Sequence, residues 1–433
     1  MMSLLVVAAI VISVALGYKT KINIGLFAIA FAYLIGCFGM GLSPSDIINM
    51  WPLKIFFIIF SVCLFYSFAT VNGTLEKLAE HLIYTCRAFP QLLPFAVFAT
   101  AGVIAAMGAG YYTVLAFMAP ITLLLCERTG MSLILGGMAV NYGALTGANF
   151  VSSQSGIIFR GLMTGAGISE NDAFINAFGI FLSTLVIPLV VISAFVFLTG
   201  HGKSMKNSSY VATPPAPLNR EQRITLWLTL AMMAIVLAAP IAHIALPDNA
   251  TVTFVNAKMD IGLIASLFSV IALLLKLGDE RKAMASVPWS TLIMICGVGM
   301  LISVAIKAGT IDILASWIGS TIPPVLVPVV FGIIAAIMSI FASTLGVVTP
   351  ALFPIVPPIA ATMGIEPMVI FIAIVVGAQA TSISPFASGG SLILGSCTSE
   401  QSRTALFPQL LFKAAPIGFV AALVFNVLLT FVY

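Results

Sequence analysis

GALTGANFVSSQSGIIFR, residues 143–160, lies between two strongly apolar stretches, yet it is crowded with glycines, hydroxyls, an asparagine, a glutamine and an arginine. In lipid every backbone N–H and C=O must be satisfied internally, so irregular backbone at membrane depth survives only against protein or a wet cavity. Such a stretch is expected where a membrane helix unwinds. A second stretch, GAQATSISPFASGG at 377–390, repeats the pattern at an offset of 234 (377 minus 143). The two define broken helices over 131–165 and 367–396.

The surroundings fit that reading. Of 433 residues, 61% are hydrophobic and 7% charged, with a mean hydropathy of +1.17, far outside the composition of soluble domains. A hydrocarbon core about 30 Å thick takes about 20 apolar residues per helix. Spans are expected near 2–17, 22–40, 52–71, 131–165, 173–199, 224–246, 260–277, 288–306, 367–396 and 408–432, ten in all. Two more apolar stretches, 91–125 and 323–358, have small residues at their midpoints, MGAGYY (107–112) and FASTLG (341–346). Two full spans would need about 40 residues and a polar turn, so both read as re-entrant hairpins with tips inside the protein. The fold class is therefore an all-α polytopic membrane protein of about ten transmembrane helices and two re-entrant helical hairpins.

The polar segment at 200–223 divides the chain almost in half. VNGTLEKLAEHL (71–82) matches KAGTIDILASWI (307–318), and APITL (119–123) parallels FPIVP (353–357). Residues 1–199 and 224–433 thus read as an internal duplication, each half with five spans and one hairpin, joined by the 200–223 linker. An odd number of crossings inverts the second repeat. With a cytoplasmic linker, thirteen Lys and Arg residues, among them Lys21, Arg87, Lys203, Lys206, Lys276 and Arg281, fall on the cytoplasmic side, against Lys54, Lys258 and Lys307 outside. That matches the positive-inside rule and places both termini outside a plasma (cytoplasmic or inner) membrane. The run Met2 to Leu16 has neither a basic leader nor a cleavage site and reads as a retained helix.

The net charge of +4 is scattered through short loops and gives no nucleic-acid signal. The six cysteines (Cys37, Cys63, Cys86, Cys126, Cys296 and Cys397) contain no CxxC pair and argue for neither disulfides nor a metal. No other cofactor is expected.

Inverted repeats with discontinuous helices mark secondary transporters, whose half-helix amino ends face anions and carboxyl ends face cations. None of the fourteen Asp and Glu residues falls inside an apolar span, so a carboxylate proton relay has no obvious member. Neutral oxygens remain: Asn149, Ser152, Ser153 and Ser155 in one break, Thr381, Ser382, Ser384 and Ser388 in the other, Ser343 and Thr344 at the second tip. They suit Na⁺ as the coupling ion, with H⁺ as the alternative. Arg160 either snorkels to the outer surface or lends positive potential to an anion site.

The order of hairpin tip, proline and broken helix resembles the ion transporter superfamily, which includes the divalent-anion/sodium symporters. GYKTKINIGLFAIAFAYLIGCFGMGLSP (17–44), WPLKIFFIIF (51–60) and VNGTLEKLAEHL are similar to the MatC-type malonate and dicarboxylate carriers, over nearly the whole chain. In better-known members each tip carries Ser-Asn-Thr and each break a Thr-Pro-Pro-Asn-like run. Here the tips read Gly110, Tyr111, Tyr112 and Thr344, Leu345, Gly346, and the breaks Gln154 to Ile157 and Ser388 to Ser391. The resemblance implies an elevator-type homodimer in the lipid bilayer. It also implies a C3 or C4 dicarboxylate such as malonate or succinate bound near Tyr112, Thr113, Gln154, Ser155, Arg160, Thr344, Ser388 and Gly389. The matching cation ligands are Gly110, Gly147, Asn149, Ser153, Ser343, Thr344, Thr381 and Ser388. The two tyrosines narrow the site, which favours a small acid such as malonate or a different organic anion altogether, and the alternative reading is a proton-coupled or exporting carrier of another organic anion.

Plainer roles compete. Gly143 and Gly147 form a GxxxG that serves close helix packing, the hydroxyls can bond carbonyls of their own helices, and Tyr111 and Tyr112 can be packing residues. An intramembrane serine hydrolase at Ser155 or Ser388 would need a base. The histidines, His81, His201 and His243, are expected in cytoplasmic segments or near an outer helix end.

Overall fold

The computed structural model describes residues 2–85, 92–198, 214–246, 248–341, 343–397 and 399–431. Arg87, Cys86, His201, Lys203, Lys206 and most of the 200–223 linker lie outside the described residues. The described chain is helical, in the order expected, and the second half carries an additional short helix, Ala250–Lys258, between its first two long helices.

The expected spans differ in how they cross. Among the described residues seven helices are long and apolar enough to cross a membrane, and an eighth candidate is the pair Ala250–Lys258 and Ile261–Leu274, bent by 67°. Met2–Gly17, Ile24–Gly39, Leu133–Ala148 and Pro367–Ala380 are shorter apolar helices. For the last two the reason is the break itself, which divides one crossing into two half-helices. Expected boundaries shift as well. The fifth span starts at Glu170, where Ser169 caps the helix by accepting from Asp172 N at 3.1 Å. The last helical run starts at Glu400 instead of 408 and turns through a π segment, Leu410–Ala414.

Each hairpin consists of an entry arm and an exit arm. The first runs Leu93–Ile104, a π turn at Ala105–Ala109, then Tyr111–Thr129. Gly108 (φ 95°) and Gly110 (φ 72°) make the reversal, a backbone that only glycine adopts freely. The second runs Val327–Phe341, a π turn at Thr344–Val348, and a proline-interrupted arm ending at Met363. Gly108 and Gly110 are buried, as are Thr344 to Val348, so both tips end inside the protein.

Lipid tails are as apolar as leucine, so close packing of small residues and polar bonds holds such helices together. The two halves interlock reciprocally. Ile24–Tyr33 packs on Trp289–Lys307, and its counterpart Ile261–Leu274 packs on Leu53–Val71. Each entry arm lies along the upstream half-helix of its own break, Leu93–Ile104 on Leu133–Ala148 and Val327–Phe341 on Pro367–Ala380. Small residues set the approach: a Cβ at Gly147 would overlap the carbonyl of Gly102, and one at Gly377 that of Gly332. These crossings are related by 230 residues instead of 234, about one helical turn less. The 234 register returns at the downstream half-helices, where Gly156 packs on the Phe150 carbonyl and Gly390 on that of Ser384.

Candidate functional site

Both breaks fall where expected. The first leaves the helix at Asn149 and re-enters at Gln154; the second leaves at Thr381 and re-enters at Ser388. Each is tied to its hairpin by one hydroxyl. Ser153 Oγ donates to the carbonyl of Ala105, and Thr381 Oγ1 to that of Ala336 at 2.7 Å.

Between the breaks and the tips lies a narrow cavity of about 30 Å³, lined among others by Tyr111, Tyr112, Ser155, Ser339, Ser343, Thr344, Gln379, Ser382, Ser388 and Gly389. Most of these residues sit at helix starts. Tyr111 and Tyr112 begin the first exit arm, Ser155 and Ser388–Gly389 the two downstream half-helices, and Ser343 caps the second exit arm by accepting from Gly346 N at 3.2 Å. First-turn N–H groups have no intrahelical partner and carry the positive end of the helix dipole. Four amino ends thus bring positive potential to a cavity that, among the described lining residues, holds no charged side chain. This is an arrangement suited to an anion.

The same side chains meet a wider vestibule of about 460 Å³ through Tyr112, Ser343, Ala387 and Ser388. Its other wall is Lys21 to Ile24 with Ser290, Thr291 and Met294. At the repeat-related place in the other half, between Ile157, Arg160, Thr164 and Lys54, Asp260, Ile261, the cavity is about 50 Å³. The molecule is open on one face and nearly closed on the other.

The expected site residues divide accordingly. Tyr112, Ser155, Ser343, Thr344, Ser388 and Gly389 line the cavity. Thr113 and Gln154 line a separate polar cavity of about 60 Å³ beneath the first tip, with Cys63 and Tyr66, and Gln154 Oε1 lies against Gly110. Arg160 is outside the central cavity. Its guanidinium stands 5.3 Å from the Phe174 ring in the nearly closed cavity, beside Glu170 and Asp260.

The expected cation ligands are largely occupied by structure. Gly147 is a packing glycine at the crossing described above. Asn149 Nδ2 donates to Gln379 Oε1 at 2.8 Å and to Thr184 Oγ1 at 3.0 Å, while Gln379 Nε2 returns a bond to Asn149 Oδ1 at 2.9 Å. Ser153 and Thr381 hold the hairpins. Ser152 Oγ, wholly buried in the first break, has no hydrogen-bond partner. A buried hydroxyl without a partner costs free energy unless something else fills that role.

Sequence reasoning passed over Asn141 and Gln379. Asn141 accepts from Tyr111 OH at 2.7 Å and donates to Ser382 Oγ at 3.4 Å, so it locks the first tip to the second break. The available signal was a lone amide in an apolar run. Ser155 and Ser388 line the cavity, and no histidine among the described residues lines it with them.

Residues 1–148 and 229–382 match the family described as dicarboxylate carrier protein MatC N-terminus. A comparison with curated proteins returns no match. Among solved structures the chain is similar to the Alcanivorax borkumensis YdaH transporter, with a TM-score of 0.62 and 18% identity over 89% of this chain and 86% of that one. It is also similar to Neisseria gonorrhoeae MtrF, described within a class of antimetabolite efflux pumps, with a TM-score of 0.56 and 12% identity over 92% and 83% of the two chains. At these identities the likeness concerns the fold alone.

Proposed function

Because the chain belongs to the MatC dicarboxylate carrier family, we propose that it is a secondary active transporter of a small organic anion, a C3 or C4 dicarboxylate such as malonate or succinate, coupled to Na⁺. The observation that carries the proposal is the convergence of four helix amino ends on one cavity without a charged lining side chain. Backbone N–H groups and the hydroxyls of Ser155, Ser343 and Ser388 bind the carboxylates, and Tyr112 sets the width of the pocket.

Charge movement calls for coupling. Carrying one charge across the membrane costs about 2.3 kcal/mol per 100 mV, so a dianion entering a negative interior faces roughly twice that. At least two cations must accompany it if transport is inward. The breaks supply neutral oxygen, and Ser152 Oγ is the hydroxyl left unengaged there. No carboxylate lines the central cavity among the described residues, which favours Na⁺ over H⁺.

The contrast between a 460 Å³ vestibule and its 50 Å³ counterpart supports alternating access. The hairpins and broken helices move as one body against the remaining helices, in an elevator-type homodimer with inverted repeats. The vestibule faces the side that holds Lys19, Lys21, Lys276 and Arg281, which the positive-inside rule assigns to the cytoplasm of a plasma membrane.

The test is uptake of radiolabelled malonate and succinate into proteoliposomes with an inward Na⁺ gradient, a proton gradient or neither. Na⁺-stimulated uptake is expected. Stimulation by the proton gradient alone identifies a proton-coupled carrier and overturns the coupling; failure of both acids under every gradient overturns the substrate.

A further inference from the structure

We infer that Tyr112 is a side-chain gate between the vestibule and the central cavity: its ring turns aside to admit the substrate, without a movement of the hairpin that carries it. The inference rests on the anion-carrier reading and adds to it the step by which the substrate passes from one space to the other.

The two spaces differ in what they hold. One water takes about 10–15 Å³ of such a cavity, so the central one, at about 30 Å³, has room for about two waters. A dicarboxylate of three or four carbons does not fit it as it stands. The vestibule, at about 460 Å³, takes one easily. Some part of the wall between them must therefore give way. Among the described residues, those common to both spaces are Tyr112, Ser343, Ala387 and Ser388, and Tyr112 is the one large side chain of the four.

Neighbouring parts of the cavity wall are committed. Tyr111 is 5% exposed, and its hydroxyl donates to Asn141 Oδ1 at 2.7 Å and lies against Gly389. Ser382 Oγ donates to the Gln379 carbonyl at 2.7 Å, and Gln379 is paired with Asn149. Tyr112 is held differently. It is half-buried, and its ring meets that of Tyr111 edge-on with centroids 4.9 Å apart. Its hydroxyl stands 3.4 Å from Ser343 Oγ, beyond the ~2.5–3.0 Å of an ordinary O–H···O bond.

That contact joins the first hairpin to the second at the boundary of the two spaces. A bond so long is broken at little cost, and the vestibule is space into which the ring can turn. Side-chain rotation is also fast beside the μs–ms of domain movement. The gate can thus admit the substrate while the molecule stays open on the same face.

The experiment reads the rate at which methyl methanethiosulfonate, small and neutral, modifies Ser155→Cys inside the cavity and Ser391→Cys in the vestibule, each followed by mass spectrometry at that residue. Ser155→Cys should react much more slowly than Ser391→Cys. Tyr112→Phe keeps the ring and removes the hydroxyl, and should speed Ser155→Cys about two- to fivefold, the size of one weak neutral hydrogen bond. Tyr112→Ala, with no ring to turn, should speed it further, and Ser391→Cys should keep its rate in both. Ser343 also caps the second exit arm, so the bond is removed from the tyrosine side. A ring that is a fixed wall leaves the Ser155→Cys rate of Tyr112→Phe unchanged, and that result overturns the inference. An equal rise at both cysteines, which marks general loosening, overturns it too. If the unmodified protein moves no dicarboxylate, the proposed function fails, and the labelling rates alone then decide whether Tyr112 is a gate.

Discussion

Asn149 and Gln379 face each other from the two halves of the chain and exchange hydrogen bonds in both directions, with Thr184 taking the spare amide proton. Both are buried, at 0% and 5% exposure. Removing one member strands the other: Asn149→Leu leaves the buried Gln379 amide unsatisfied, at a cost of about 1–3 kcal/mol, while Thr184 Oγ1 keeps its bond to the Ile180 carbonyl at 2.8 Å. A lower melting temperature in detergent is expected, with part of it recovered by the exchange Asn149→Gln with Gln379→Asn; a melting temperature equal to that of the unmodified protein would contradict the pairing. Arg160 gives the opposite kind of test. Because its guanidinium sits against Phe174 in the nearly closed cavity, Arg160→Leu should leave KM unchanged for substrate presented at the open vestibule. A severalfold rise there would place Arg160 in the substrate site after all.

At the scale of elements, the glycine crossings hold each hairpin against its broken helix. Gly147→Ala or Gly377→Ala drives a methyl group into a backbone carbonyl that cannot rotate away, whereas Gly395 has open space where its Cβ would go. Overpacking of this kind costs about 1–3 kcal/mol. The first two variants should lose monodispersity on gel filtration and melt lower, and Gly395→Ala should not; equal behaviour of all three would mean that the crossings are not rigid. These elements were legible in the chain because breaks and tips need glycines and hydroxyls inside apolar runs, and such patterns stand out at any register. Side-chain commitments were not legible. Asn149 and Thr381 carry the right atoms for a cation, but only the packing reveals that one is bonded to Gln379 and the other to the Ala336 carbonyl. That 131–165 and 367–396 each cross as two half-helices was legible for the same reason as the breaks and tips, because each polar stretch falls in the middle of a run long enough to cross.

For the whole molecule, the two halves place one cavity between two mouths, about 460 Å³ on one face and about 50 Å³ on the other. Across the closed mouth Lys54 Nζ pairs with Glu170 Oε1 at 2.6 Å, but with 62% and 65% of these side chains exposed the pair contributes little, within about 1 kcal/mol. On that face the half-helix Gln154–Gly165 packs against Leu53–Val71, and in the proposed cycle those surfaces slide to open it. Alternating access is the central claim. Its most direct measurement is labelling by a membrane-impermeant thiol reagent of Ser391→Cys from the vestibule face and of Thr164→Cys from the opposite face, with and without substrate and Na⁺. In the resting protein Ser391→Cys should react quickly and Thr164→Cys slowly. Substrate with Na⁺ should slow the first and speed the second. Rates that rise together, or that ignore the substrate, would contradict a carrier that opens one mouth at a time.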